Sequence, residues 1–264
     1  MPDWIALSRQ EHRKLHFRPR TGYAFAGAHH LVPVVLAELG RLLPHYTLGF
    51  ILQKERYLPV ALLGLAESQN LYLHPDGRWL GDYVPAELRG YPFALGRSGE
   101  GGERMLCIDR QALLEPSEGG QALFNDEGEL APLPTQTLDF LNQCDRSRQQ
   151  ALAAAATLAE CELLTPWTIE IARGEEAVPF RLEGLYRADE KALNALSAER
   201  LASLRSSGAL ALAYAQLFSI HQLEQLKRRA RFLAERDTAT AGGETLLDDI
   251  DVDDDGELTF DFDN

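Results

Sequence analysis

The chain has 264 residues, of which 45% are hydrophobic, so it can bury a core without disulfides or a structural metal. Its three cysteines are odd in number and lack CxxC spacing, which argues against a disulfide framework and a zinc site. The formal net charge of −14 is concentrated in residues 244–264, which carry ten acidic residues and no Lys or Arg. The charge therefore characterises a C-terminal tail rather than the folded core.

The N-terminal segment has no apolar region typical of a secretory signal, and no apolar run approaches the roughly 18 residues of a membrane span. We therefore expect a cytoplasmic protein with no membrane span and with free thiols. Residues 1–20 are mildly basic and are predicted to form an arm or an edge segment. A helix is predicted over residues 31–43, beginning near Pro33, because the apolar residues that follow approximate a helical stripe.

A β-rich region is predicted next, with a turn at residues 74–77 and a glycine-rich hairpin loop at 96–102. Up to five short, mostly antiparallel strands are predicted there, within residues 46–53, 60–65, 71–73, 92–95 and 104–108. After a loop-like stretch over 113–133, a long helix is predicted from about residue 134 to residue 164. Proline suits its first turn, and residues 151–156 are nearly all alanine.

The last third of the core is predicted to contain a second hairpin followed by helices. The hairpin strands are predicted at residues 167–171 and 178–186. Ser197 is a suitable N-cap for the first of these helices, and the Ser-Ser-Gly sequence at 206–208 separates it from the next.

These elements predict an α+β fold, in which an antiparallel sheet of short strands packs with helices and the C-terminal region is helical. The βαβ alternation of a dinucleotide-binding domain is not found in the sequence. After Asp237 the composition changes to small residues and then to acids. We therefore predict one α+β domain over residues 1–237 and a disordered acidic tail over residues 238–264.

Several short segments are dispersed over this predicted domain. They include VPVV at 32–35, PVALLGL at 59–65, YVPA at 83–86, RGYPF at 89–93, CID at 107–109, LF with DEG at 123–128, GLYR with DE at 184–190, LN at 193–194, SGAL at 207–210 and YA at 214–215. In this order and spacing they resemble the bacterial SapC family over roughly residues 10–226. The acidic tail lies outside the resemblance.

The resemblance implies little about activity. The family has no established catalytic residues, so none is transferred to this chain. Its name comes from surface-layer association in one lineage, whereas many members are encoded beside genes resembling flavin-dependent tryptophan halogenases, cupin-like oxygenases and TonB-dependent receptors. We expect a non-catalytic accessory or binding protein that acts with a protein partner and without a cofactor. The alternatives are an enzyme that modifies amino-acid side chains or small polar ligands, and a surface-layer component.

The most distinctive polar stretch contains Tyr186, Arg187, Asp189 and Glu190. A strand that ends here before a helix can present a binding edge to a ligand or partner, and we predict these four residues as binding residues. The alternative is a capping junction, in which Asp189 is the N-cap of the helical turn that follows.

Two sets of residues carry groups capable of metal binding or catalysis. His29, His30 and Glu38 are candidate metal ligands, but their spacing matches no recognised site, so we expect no metal and a hydrogen-bonding role at the helix start. Cys107 is a candidate nucleophile two residues before Asp109. A carboxylate on the same strand face raises a thiol pKa, so we favour core packing for Cys107.

Two other patterns are candidates for phosphate or nucleic-acid binding. The glycine-rich loop at 96–102 is flanked by strands, and Glu100 and Glu103 repel phosphate, so a hairpin turn is the better interpretation. A basic cluster at residues 227–231 lies near the end of a predicted helix, where cations complement the helix dipole. We therefore expect no nucleic-acid partner.

The acidic tail contains two patterns of its own. Asp251, Asp253 and Asp255 match the start of an EF-hand loop, but Phe262 stands where the loop needs a bidentate Glu, so a calcium site is not favoured. Phe260 and Phe262 alternate with acids at a period of two. We predict that they bind a partner by adding a strand to its sheet edge. The alternative is a solubilising tail that folds back on the basic cluster.

Overall fold

The computed structural model describes residues 2–97, 104–171 and 180–241. Its strands are β1 Trp4–Ala6, β2 His16–Phe17, β3 Leu31–Pro33, β4 Leu48–Gln53, β5 Arg56–Leu62, β6 Phe93–Arg97, β7 Arg104–Asp109, β8 Leu113–Leu114, β9 Gln121–Ala122, β10 Leu164–Ile171 and β11 Phe180–Ala188. Its α-helices are α1 Arg9–His12, α2 Leu39–Leu42, α3 Ala86–Arg89, α4 Pro132–Glu160, α5 Glu190–Asn194, α6 Ala198–Ser207, α7 Ala209–Ser219 and α8 Gln222–Ala241. Short 3-10 turns lie at Ala24–Ala26, Leu36–Glu38, Arg110–Ala112 and Pro116–Glu118.

The central sheet has five strands in the order β10-β11-β4-β5-β3, with antiparallel neighbours throughout. β4 and β5 form a tight hairpin whose last pair is Gln53 with Arg56. The two loop residues, Lys54 and Glu55, both have positive φ angles, of 47° and 61°. This geometry is that of a type I′ turn, whose twist matches that of the strands it joins. The first half of β4 is buried because α7 packs on it.

Two smaller antiparallel sheets lie beside the central one, in the orders β1-β7-β6 and β8-β2-β9. A second apolar cluster joins them, with Phe17, Phe93, Ile108 and Leu123 at its centre. The rings of Phe17 and Phe93 meet edge to face at 4.9 Å between centroids, a favourable aromatic geometry. The predicted α+β fold with antiparallel sheets is thus confirmed.

The long helix α4 packs on β5 of the central sheet and on β6 of the second sheet. Its C-terminal half buries Ala151, Ala154, Ala155 and Leu158, all fully excluded from solvent. This spacing of three and four residues produces one helical face, and the small alanine side chains allow a close approach to the sheet. The helix was predicted at nearly these bounds, and it positions the groove described below.

The helix predicted over residues 31–43 is wrong in its first half. Residues Leu31–Pro33 form β3, which pairs with residues 60–62 of β5. The apolar spacing is compatible with either a helix or a strand, and pairing with the edge of β5 decides in favour of a strand. Pro33, which has no N–H to donate, is tolerated because β3 is an edge strand. The chain becomes helical only at the 3-10 turn Leu36–Glu38 and at α2. Residues 71–73 were predicted as a strand, but they contribute only the isolated bridge between Leu73 and Trp79.

The C-terminal region is helical, as predicted. Ser197 caps α6 by accepting a hydrogen bond from the Arg200 amide at 3.4 Å, and Gly208, with φ of 78°, ends it. α8 continues to Ala241, so residues 238–241 of the segment assigned to the tail are helical. Residues 242–264 lie outside the described residues, as do the tail predictions for Phe260 and Phe262. No helix in the described ranges is long and apolar enough to cross a membrane.

Candidate binding groove

Two adjoining clefts lie along the N-terminal half of α4. The first, of about 250 Å³, is lined by residues of α2, α3, α4 and the segments preceding them, including Arg41, Arg89, Phe140 and Gln143. The second, of about 350 Å³, shares Gln143 with the first. We call the pair the basic groove and define it by six lining residues: Arg41, Arg89, Arg104, Phe140, Gln143 and Arg146.

The spacing of residues on α4 explains why the two clefts adjoin. Phe140, Gln143, Cys144 and Ser147 line the first cleft, and Asp139, Asn142, Gln143 and Arg146 line the second. Both sets follow the i, i+3, i+4, i+7 spacing of one helical face, and they are offset by a single residue. The clefts therefore lie on neighbouring faces of the same helix, and the groove runs about 12 Å along it.

Glu38 holds the floor of the first cleft together. Its side chain is buried, and its two oxygens accept hydrogen bonds from the amides of Val35 at 3.2 Å and Ala86 at 2.8 Å and from the hydroxyl of Tyr83 at 2.9 Å. Ala86 lies 48 residues from Glu38 in sequence, whereas Val35 lies three residues before it. One carboxylate thus ties the start of α3 to the 3-10 turn before α2. Ser147 adds α4 to this junction by accepting from the Ala37 amide at 2.9 Å.

Tyr83 connects this buried carboxylate to the first groove arginine. Its hydroxyl donates to Glu38 and accepts a hydrogen bond from a terminal nitrogen of Arg89 at 3.1 Å. Burial, and then the negative charge of Glu38, raise the pKa of Tyr83 to about 12. Its carbonyl is held in turn by the Trp79 indole N–H at 3.1 Å and the Tyr46 hydroxyl. Tyr83 is therefore neutral at physiological pH and fixed in position.

The guanidinium groups of Arg89 and Arg41 are presented beside aromatic rings. Arg89 lies 5.0 Å from the Phe140 ring centroid and 5.4 Å from that of Tyr83. Arg41 lies 5.9 Å from the Tyr83 ring centroid. No carboxylate among the described residues forms an ion pair with either arginine. The Nε of Arg89 is also buried without a hydrogen-bond partner among these residues. Both cations therefore keep donors free for an anionic ligand.

The second cleft is also basic, but its charges are partly compensated. Arg104 is ion-paired with Asp145 of α4. Arg146 is exposed and forms no ion pair among the described residues, while Asp139 contributes a negative charge to the lining. Nearby, Arg148 pairs with Glu87 of α3. The groove thus has a net positive charge on a protein whose overall charge is strongly negative.

Cys144 lies in the first cleft as a neutral thiol. Burial raises its pKa to about 11, and the thiolate is the reactive form. Alkylation of Cys144 by iodoacetamide at pH 8 is expected to be at least about 100-fold slower than that of half-exposed Cys161. Its rate should rise as the pH approaches 11. Timed labelling followed by mass spectrometry of the two peptides measures both rates, and equal rates at pH 8 would contradict the assignment.

His29, His30 and Glu38 were the candidate metal ligands, and the described residues contain no group of three His, Cys, Asp or Glu placed to hold a metal ion. Both oxygens of Glu38 are occupied by the hydrogen bonds given above. The pKa of His29 is lowered by burial. His30 contributes through its backbone, whose carbonyl accepts from Leu63 and Gly64.

The junction at Tyr186, Arg187, Asp189 and Glu190 lies at the end of β11, apart from the groove. Tyr186 packs edge to face on Tyr57 at 5.0 Å between centroids. Asp189 is the N-cap of α5 and accepts from the Ala192 amide at 3.0 Å, which was the alternative interpretation. Arg187 and Glu190 are exposed. A binding role for this junction stays a prediction.

Three other sequence patterns also have structural roles. Burial raises the pKa of Cys107, and Asp109 accepts hydrogen bonds from Tyr91 at 2.8 Å and the Asp3 amide at 3.0 Å, which fixes β1 to β7. In the basic cluster, Arg229 lies 4.6 Å from the Tyr72 ring centroid and Lys227 pairs with Glu224 at 3.1 Å. Residues 98–102 of the glycine-rich loop lie outside the described residues, and the flanking strands β6 and β7 pair antiparallel.

The groove residues were not predicted from the sequence as a site, apart from Glu38. Arg89 belongs to the RGYPF motif and Tyr83 to the YVPA motif, so their segments were noted without a role. Arg41, Phe140 and Gln143 lie in helices whose polar positions resemble ordinary solvated faces. The spacing of Phe140, Gln143 and Ser147 on a helix otherwise rich in alanine is the sequence signal from which this helical face could have been predicted.

The family model of SapC matches residues 7–226 of the chain, a range that contains the whole basic groove. The match confirms the resemblance drawn from the dispersed motifs, and it stops before the acidic tail. No curated protein and no solved structure matches the chain.

Proposed function

The chain belongs to the SapC family, and we propose that it is a non-catalytic binding protein that takes acidic residues of a protein partner into the basic groove. The observation that carries the proposal is the two guanidinium groups of Arg41 and Arg89, which have no ion-pair partner among the described residues. Arg41 lies beside the Tyr83 ring, and Arg89 lies beside the rings of Tyr83 and Phe140. Arginine forks bind carboxylates in a bidentate manner, with more energy than a neutral hydrogen bond provides.

The shape of the groove supports a peptide as the ligand. Two clefts that follow one helix for about 12 Å accommodate about three or four residues of an extended chain. Arginines line both clefts, so acidic side chains at successive positions of a bound peptide can each lie near a positive charge. A long nucleic acid is disfavoured because the ten acidic residues at 244–264 of the same chain repel it.

The groups in the groove also favour binding over catalysis. Tyr83 and Cys144 both have raised pKa values, of about 12 and about 11, so both are protonated at physiological pH. Glu38 has both oxygens engaged by donors. A general base or thiolate nucleophile needs a pKa near the working pH. Glu38 and Tyr83 instead position Arg89 through their hydrogen bonds. We place the protein in the cytoplasm, which suits its three free cysteines.

Loss of Arg89 is expected to weaken the binding of an acidic peptide more than loss of Arg41. The probe is a rhodamine-labelled peptide of four glutamates, and binding to the full chain is followed by fluorescence anisotropy. Arg89→Ala should raise the Kd by about 10-fold or more, since the guanidinium is half-buried. Arg41→Ala should raise it by about 2- to 5-fold, because Arg41 is exposed and screened. The Kd of Arg89→Lys should lie between those of the wild type and Arg89→Ala, since lysine keeps the positive charge but lacks the forked guanidinium group.

Two matched variants test whether the groove is the site. Arg205→Ala removes an exposed arginine from α6 and should leave the Kd within about 2-fold. Arg187→Ala tests the β11 junction in the same assay. If Arg187→Ala abolishes binding while Arg89→Ala does not, the junction is the binding edge and the groove proposal is wrong. A four-glutamine peptide should not bind any of the variants.

A further inference from the structure

The basic groove and residues 244–264 carry charges of opposite sign. This segment has ten acidic residues and no Lys or Arg. Of the groove arginines, Arg104 is ion-paired with Asp145, and Arg41, Arg89 and Arg146 have no ion-pair partner among the described residues. An anionic segment tethered to the same chain is therefore electrostatically matched to the groove.

The chain that follows α8 is long enough to bring acidic residues to the basic groove. Arg229 of α8 donates a hydrogen bond to the Leu80 carbonyl at 3.5 Å, three residues before Tyr83. From Arg229 to Ala241 the helix extends about 18 Å, so its end lies within about 40 Å of Tyr83. The 23 residues from 242 to 264 span up to about 76 Å when extended. The acids from about Asp253 onward can thus span the distance from the end of α8 to Tyr83.

Tethering also gives this segment an advantage over a free partner. A random-coil chain of 23 residues would have a root-mean-square end-to-end distance of about 25 Å, which falls within the upper bound of about 40 Å on the separation. The effective concentration of such a segment is in the millimolar range. A partner's acidic residues at micromolar concentration therefore compete at a disadvantage unless their intrinsic affinity is much higher.

We propose that the acidic segment 244–264 is an internal ligand of the basic groove and must be displaced before a partner binds there. This inference rests on the proposed function of the groove and adds a mechanism of regulation to it. The groove is favoured over the basic cluster on α8 as the docking site. In that cluster Lys227 is already paired with Glu224, and Arg229 is held by Tyr72 and Leu80. The remaining cations, Arg228 and Arg231, are exposed and screened by solvent, whereas Arg89 in the groove is half-buried.

The test measures where the end of the chain lies in the intact protein. A nitroxide is attached to Asn264→Cys in a chain carrying Cys161→Ala; the other two cysteines, Cys107 and Cys144, are buried. Paramagnetic broadening should reduce the amide signals of Arg89 and Gln143 by about 2-fold or more. Adding a saturating amount of the four-glutamate peptide should restore them. A labelled chain in which the ten tail acids are replaced by Asn and Gln should show no broadening there.

Each other outcome overturns the inference in a recognisable way. Broadening centred on residues 227–231 means that the tail docks on α8. Broadening only in a mixture of labelled and isotope-enriched unlabelled chains means that docking occurs between copies. If no signal is broadened while the four-glutamate peptide still binds in an Arg89-dependent manner, the internal ligand is ruled out and the groove's function stands. If the peptide does not bind even the chain with neutralised tail acids, the proposed function itself fails.

Discussion

Replacing Glu38 with alanine is expected to lower the free energy of unfolding by about 3–5 kcal/mol. The substitution leaves two buried amides, those of Val35 and Ala86, and the Tyr83 hydroxyl without their acceptor. Each buried donor without a partner costs about 1–3 kcal/mol. Urea denaturation of the variant and the wild type measures the difference. Tyr83 also loses its anchor, so the four-glutamate peptide should bind the variant more weakly.

Glu118→Ala is the matched control for this prediction. Glu118 also closes a 3-10 turn by accepting from the amide three residues earlier, that of Glu115, at 2.7 Å. It is exposed, so water replaces the lost acceptor and the cost should be about 0.5–1 kcal/mol. Equal losses for the two variants would show that Glu38 contributes only a local cap. A loss under about 1 kcal/mol for Glu38→Ala would contradict its role in joining the two segments.

The second large effect is expected at Gly64, where alanine should destabilise the protein by more than about 3 kcal/mol. A Cβ built on Gly64 would lie 1.9 Å from the carbonyl oxygen of Gln69 and 3.3 Å from Cβ of His30. The clash is with backbone, which cannot rotate away as a side chain can. The segment cannot shift easily either, because the amide of Gly64 donates to the His30 carbonyl at 3.0 Å and Leu71 donates to Leu63 at 2.8 Å.

Gly40→Ala is the control for the general effect of replacing glycine by alanine. Gly40 lies in α2 with no atom within 4 Å of its added Cβ. Alanine should therefore stabilise the protein by about 0.5–1 kcal/mol, through helix propensity and the lower entropy of the unfolded chain. Calorimetric or urea unfolding of both variants should give effects of opposite sign. A neutral Gly64→Ala variant would mean that the loop over residues 64–70 rearranges at little cost.

The close approach at Gly64 gives one family motif a physical meaning. The PVALLGL sequence at 59–65 forms the buried end of β5 and the bend that follows it. Its apolar residues fill the main core, and its glycine allows two backbone segments to meet. Glycine is required at this position because of the loop conformation, which the motif alone does not reveal.

Local patterns predicted the regular elements best. The alanine-rich α4, the Ser197 cap, the Gly208 break and both strand pairs of the long hairpins depend on propensity and nearest-neighbour chemistry. The helix predicted over residues 31–43 failed because β3 takes its partner from β5, which lies about 30 residues further along the chain. Strand pairing over such a distance overrides a local apolar stripe.

The candidate site was the least predictable part. Glu38 was noted as a weak metal candidate, and the structure shows it instead as the acceptor that joins two segments. Arg41, Arg89 and Phe140 come from α2, α3 and α4, which are separated in sequence by as much as about 100 residues. Each is unremarkable in its own segment, and only their convergence beside Tyr83 produces a groove with unpaired cations.

The sequence by itself determined the family, the α+β class and the long helix, because these depend on composition, periodicity and ordered short motifs. Tertiary structure alone decided that Leu31–Pro33 pairs as a strand, that Gly64 meets Gln69 and that Arg89 lies beside Phe140 with no ion-pair partner among the described residues. The physical reason is the same in each case. A hydrogen bond, a close backbone approach or an uncompensated charge between distant segments depends on distances in space, which a linear pattern of residue types does not contain.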